Sequence, residues 1–118
     1  MPADFAALPT VAVVIPDMCH DMHDCPVADG DSWARDHLSG YVDWARTHNS
    51  LLLVTFDEDD GTGANHVPTV LVGPMVRPGD SPARVDHYTL PRTVEDAYGL
   101  PPLGLAASTS ALTGVWVT

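Results

Sequence analysis

Two short stretches carry most of the residues that could do chemistry in this 118-residue chain. Asp57-Glu58-Asp59-Asp60 directly follows the apolar run LLLVTF, and His20-Asp21-Met22-His23-Asp24 follows the apolar run TVAVVI. His66 and His87 stand singly further on. Adjacent carboxylates ionise together cheaply only when a cation sits among them. Oxygen ligands suit Ca²⁺ or Mg²⁺, and added histidines widen the choice to Zn²⁺, Mn²⁺ or Fe. An EF-hand does not fit, because the glycine required sixth in its loop would be Thr62. The string H-x-x-H-D also departs from the metallo-hydrolase pattern H-x-H-x-D-H. The plain alternatives are a solvated acidic turn and a surface loop that happens to hold two histidines. No serine or threonine sits in a G-x-S-x-G nucleophile elbow.

The elements that must position these residues can be read from the apolar pattern. Residues 10–15, TVAVVI, are short, continuous and rich in β-branched side chains, which predicts a buried strand closed by Pro16. A polar loop, PDMCHDMHDCPVADG, follows. The spacing of Ala34, Leu38, Tyr41 and Ala45 predicts a helix over 31–49, with Asp31 as N-cap and Asn49 as a left-handed stop. His48 falls at the end of that helix, where a cation suits the dipole, and reads as structural; His37 reads as a helix-surface residue. SLLLVTF (50–56) is a second buried strand.

Strand–helix–strand predicts two parallel strands with a right-handed crossover. Both loops then leave one sheet edge, the edge at which open α/β sheets bind ligands. The histidines and the acids are therefore expected to meet there. A third run, TVLVG (69–73), comes after about a dozen residues without a helix, too few for a parallel crossover, so it is expected to be antiparallel. That would return Asn65-His66-Val67 to the same edge. LPRTVEDAYG (90–99) predicts a short helix with Pro91 in its first turn and Gly99 as its stop. The tail is rich in small residues and carries little signal. Two helices cannot cover both faces of such a sheet, so either self-association or further sequence is expected.

The length fits one domain. Sixteen acids against five bases give a formal net charge of −11, which argues against nucleic acid or an anionic membrane as partner and suits a protein that holds cations. No apolar run approaches the ~18 residues of a membrane span. No basic segment followed by a long apolar stretch opens the sequence, so no signal peptide is expected within it. Cys19 and Cys25 lie six residues apart. A disulfide between them is geometrically easy and would suit an exported protein, while two free thiols in a cytosolic protein remain the alternative. A zinc knuckle does not fit that spacing.

Taken in order, DFAALPTVAVVIPDMCHDMHDC, GDSWARDHLSGYVDWARTHNSLLLVTFDEDDG, NHVPTVLVGPMVRPG and DHYTLPRTVEDAYGLP resemble the C-terminal part of the bacterial phosphoesterase family of secreted acid phosphatases and phospholipases C. The resemblance runs from about Asp4 to Trp116. It implies a portion of an α/β/α sandwich of the alkaline-phosphatase-like type, with residues 1–118 forming the C-terminal part of one catalytic domain. It also implies hydrolysis of phosphate esters, small molecules or phospholipid head groups, by a Ser or Thr nucleophile beside one divalent metal ion, in a secreted or extracytoplasmic setting. By the same resemblance Asp57 and Glu58 hold the metal, while His23 and His66 serve as general acid or phosphate ligand. His20 and His87 are further substrate-binding candidates.

The chain departs from the family pattern in lacking the Glu-Asn metal pair and the nucleophile of the family's N-terminal half, and in carrying Pro91 where an aliphatic residue is usual. An isolated chain is therefore expected to be inactive. A non-enzymatic secreted module that binds a divalent cation is the alternative.

Overall fold

The computed structural model describes residues 1–117. These residues form a mixed α/β structure with two helices and two antiparallel strands. It falls into two compact units, one of Met1–Leu52 with Val72–Pro74 and the other of Leu53–Leu71 with the residues from Met75 onward.

The first unit is built on helix α1, Val27–Ala45. The sequence placed its start at Asp31. In the structure Pro26, with φ −59°, precedes the first helical residue, and Asp29 lies in the first turn, where a carboxylate suits the positive end of the helix. Asp31 is instead inside the helix and pairs with Arg35 one turn on. The helix also ends earlier than expected, at Ala45, and Asn49 is not among the residues with positive φ.

The face expected to turn inward does so: Ala45 is fully buried, and Ala34, Leu38 and Tyr41 are half-buried. A 3₁₀ turn at Phe5–Ala7, capped by Asp4 Oδ1 accepting from the Ala6 N–H, packs Phe5 edge-on against Tyr41 and at a tilt on Trp44. His48 stacks on Trp44 with ring centroids 4.2 Å apart, and its Nδ1 lies 2.8 Å from the Trp44 carbonyl, so its role is structural. His37 lies on the helix surface against Trp33.

Residues 10–15 correct the expectation of a parallel sheet. They form no strand, and Val13 and Ile15 are 81% and 82% exposed. A strand needs a neighbour to take up its backbone hydrogen bonds. The sheet among the described residues contains only β1 (Leu52–Thr55) and β2 (Thr69–Val72). The antiparallel return of β2 agrees with the reading from loop length.

In the second unit, helix α2 spans Thr89–Ala97. Asp86 Oδ1 accepts from the N–H groups of Tyr88 and Thr89 and from Thr89 Oγ1, satisfying donors that a helix start leaves open. At the other end Gly99 takes φ +63°, a left-handed value that permits the Leu100 N–H to reach the Glu95 carbonyl and the Gly99 N–H to reach that of Asp96.

The tail, opaque as sequence, is ordered by α2. The Arg92 guanidinium donates to the Ala106 and Thr109 carbonyls, and Thr93 Oγ1 accepts from the Leu112 N–H. Leu90, Ala106 and Leu112 are the apolar residues buried here. Trp116 bridges Val76, and its indole N–H donates to the Leu112 carbonyl.

Candidate functional site

The histidine loop lies in the first unit and is closed by a disulfide between Cys19 and Cys25. Those sulfurs are bonded to each other, so the grouping of Cys19, Cys25 and Asp29 is not a thiolate metal site. Inside the loop the carboxylates organise the backbone. Asp17 Oδ1 accepts from the N–H groups of Cys19 and His20, and Asp21 Oδ1 accepts from that of His23. Donation from the His20 N–H is the main reason the Asp17 carboxyl is held below the ordinary aspartate value.

Each histidine is tied to an acid through Nδ1, His20 to Asp17 at 2.6 Å and His23 to Asp24 at 2.8 Å. A carboxylate only accepts, so Nδ1 is the donor in each pair, and the bond fixes the orientation of the ring. That is the arrangement a proton-transferring histidine uses. Asp17 and Asp24 were not marked as ring partners in the sequence; the short i,i+3 and i,i+1 spacings were the available signal.

The loop also rests on α1. Met22 has φ +76°, rare for a residue with a side chain, and lies over Gly30 so closely that an added Cβ there would be 2.5 Å from Met22 Cγ. Gly30 is thus inside the helix because only a missing side chain leaves room for the loop.

The acidic loop lies in the second unit, between the strands. Thr55 Oγ1 and Thr69 Oγ1 are 3.2 Å apart, so the exit of β1 and the entry of β2 share one edge. That edge carries Asp57 and Glu58 at one side and His66 at the other, as the antiparallel reading required. The four acids are not equivalent. Asp59 Oδ1 accepts from the Gly61 N–H, Asp59 Oδ2 accepts from Thr62 Oγ1, and the Asp59 N–H donates to Asn65 Oδ1. Asn65, at φ +46°, closes the loop immediately before His66. Asp59 is therefore a loop-closing residue.

The exposed carboxylates of Asp57 and Glu58 accept no hydrogen bond from the described residues. A pair of hard oxygen donors without a protein partner fits a divalent cation. The pair belongs to no group of three His, Cys, Asp or Glu ligands among the described residues. His87, placed just before α2, reaches the same edge: its Nε2 is 2.8 Å from the Asp57 carbonyl oxygen. The structure therefore brings Asp57, Glu58, His66 and His87 to one part of the second unit, and holds His20 and His23 in the first.

Carboxylates and histidines thus share one strand edge, a grouping of residue types that hydrolytic and metal-binding sites use. The chain belongs to the Phosphoesterase family, whose model matches residues 2–101. It is 48% identical, over 98% of its length, to the phosphatidylinositol-3-phosphatase of Mycobacterium tuberculosis, of which it covers 38%. It is 33% identical to an acid phosphatase of Aspergillus fumigatus and 30% identical to a probable acid phosphatase of Kluyveromyces lactis. Both of those matches cover 82% of this chain, and 23% and 24% of the respective relatives. The chain thus spans well under half the length of the curated relatives it matches. No solved structure gives a significant match.

Proposed function

We propose that this chain contributes the C-terminal part of an acid-phosphatase-like phosphoester hydrolase of the alkaline-phosphatase-like type, secreted or extracytoplasmic. The family match over residues 2–101 carries the reading. The disulfide suits an oxidising compartment, and among the described residues no helix is long and apolar enough to cross a membrane. The substrate class is a phosphate monoester. The name of the mycobacterial relative makes a phosphoinositide head group a specific candidate.

In this reading Asp57 and Glu58 hold a divalent metal ion, which when bound would neutralise phosphoryl charge and lower the pKa of a nucleophile. The chain's own part is to place two carboxylates at the strand edge and to supply histidines. His66 donates to a phosphoryl oxygen or to the leaving alkoxide. In the histidine loop, His23 is oriented by Asp24 and His20 by Asp17, as general acid and phosphate ligand respectively. The Ser or Thr nucleophile is assigned to sequence outside these residues. Self-association, or a covering segment, accounts for the exposed apolar run at 10–15.

Titrating Mn²⁺ into the ¹⁵N-labelled chain tests the metal assignment. The Asp57 and Glu58 amide resonances are expected to broaden first, and Asp57→Asn to remove that selectivity. Equal broadening across all acidic residues would reject it. Metal-dependent folding of the chain with no hydrolytic activity in any longer form would favour a cation-binding module instead.

A further inference from the structure

We infer that His87 is a positioning residue for the Asp57–Glu58 pair and does not contact substrate. This rests on the metal reading of that pair. The His87 ring reaches across 30 residues of sequence to the Asp57 carbonyl, with Nε2 at 2.8 Å. A carbonyl oxygen only accepts, so Nε2 carries the proton and that N–H is already committed. A histidine whose Nε2–H is engaged by the backbone has lost the donor it would offer a phosphate from that atom.

The bonded carbonyl is well placed to matter. It belongs to the peptide unit joining Asp57 to Glu58, which is planar. Holding its oxygen fixes the orientation of that plane, and with it ψ of Asp57 and φ of Glu58. Those two dihedrals set the direction in which the two carboxylate side chains leave the backbone relative to each other. Among the described residues no other contact does this, since neither carboxylate accepts a hydrogen bond from them.

His87 is itself well anchored. Its neighbour Asp86 accepts three hydrogen bonds from Tyr88 and Thr89, pinning the backbone around His87 to the start of α2. The path from helix to metal pair is thus Asp86 to the helix start, the His87 ring to the Asp57 carbonyl, and the shared peptide plane to both acids.

Two conservative replacements separate positioning from bulk. The Gln side-chain amide nitrogen lies near the place of imidazole Nε2, whereas that of Asn lies near Nδ1. His87→Gln should therefore keep the bond, and His87→Asn and His87→Ala should lose it. The first readout is the Glu58 amide ¹⁵N resonance of the metal-free chain, one bond beyond the hydrogen-bonded carbonyl. It is expected to shift in His87→Asn and His87→Ala and to stay near wild type in His87→Gln.

The second readout is the Mn²⁺ concentration that half-broadens Glu58. It is expected to rise about 10- to 100-fold in the Asn and Ala variants, the usual cost of losing support behind metal ligands, and to be restored by Gln. An unmoved Glu58 resonance in His87→Ala would overturn the inference, as would a moved resonance with unchanged Mn²⁺ response. If the wild-type chain shows no selective Mn²⁺ response, the metal reading fails and this inference with it. Selective wild-type binding that all His87 variants share would overturn this inference alone.

Discussion

Helix α1 contains two glycines at which the same substitution should have different effects. At Gly40 an added Cβ would meet Phe5 Cζ at 3.6 Å, ordinary van der Waals contact. At Gly30 it would lie 2.5 Å from Met22 Cγ, 2.8 Å from Met22 Sδ and 3.1 Å from the His20 carbonyl oxygen. Replacing a helix-interior glycine by alanine is worth about 1 kcal/mol. Forcing atoms into an occupied space costs about 1–3 kcal/mol. Gly40→Ala is therefore expected to stabilise the chain by about 1 kcal/mol. Gly30→Ala should range from neutral to about 2 kcal/mol destabilising, the helix gain set against the clash.

The Met22 backbone is held over the helix. Its N–H is bonded to the Cys19 carbonyl, and the loop around it is closed by the Cys19–Cys25 bridge. The third contact is backbone. Urea midpoints of the two variants provide the assay, with Met22→Ala as a third background in which Gly30→Ala should recover most of the helix gain. Gly30→Ala matching Gly40→Ala in the wild-type background would refute the docking of the histidine loop on α1.

Three further outcomes are expected. Arg92, whose side chain is 24% exposed, bonds Asp96 and the Ala106 and Thr109 carbonyls. Arg92→Met should lower stability by about 2–3 kcal/mol in urea denaturation, and Arg92→Lys should recover less than half, because an ammonium lacks the fork. Replacing Cys19 and Cys25 by Ser should cost about 2 kcal/mol, from closure of so short a loop, and speed amide exchange across 19–25; unchanged exchange would show the loop ordered without its bridge. Donation from the Thr89 and then the Tyr88 N–H holds the Asp86 carboxyl below the ordinary aspartate range. As pH falls below about 3.9 the unfolded chain takes up this proton first. The stabilisation, complete above that value, is lost as pH falls through the depressed folded value. Urea midpoints should fall less steeply between pH 5 and 3 in Asp86→Asn than in wild type.

The parts of the structure legible in the sequence are those fixed by local chemistry. Pro91 in the first turn and Gly99 at the stop bounded α2 to within about two residues, because φ constraints act on the residue itself. The short link from β1 to β2 dictated an antiparallel return, and with it the edge that holds Asp57, Glu58 and His66. The start of α1 was missed because Gly30 reads as loop unless its contact with Met22 is known.

The strand at 10–15 fails for a different reason. β-propensity describes how a segment fits a sheet, and it supplies no partner backbone. The site was legible in kind but not in detail. Acids and histidines at strand exits mark a site, whereas the division of labour between Asp57-Glu58 and Asp59 depends on the loop closed by Asn65. The His87 contact spans a distance that no sequence spacing reveals.

In the proposed function this chain supplies ligands and histidines to a phosphatase whose nucleophile lies elsewhere. Hydrolysis of p-nitrophenyl phosphate tests it most directly, comparing the purified chain with a chimera in which it replaces the matching 38% of the mycobacterial relative. No turnover is expected from the chain alone. Metal-dependent turnover is expected from the folded chimera, abolished by Asp57→Asn. Hydrolysis by the 118-residue chain itself that Asp57→Asn removes, or a folded, metal-loaded chimera without activity, would contradict it.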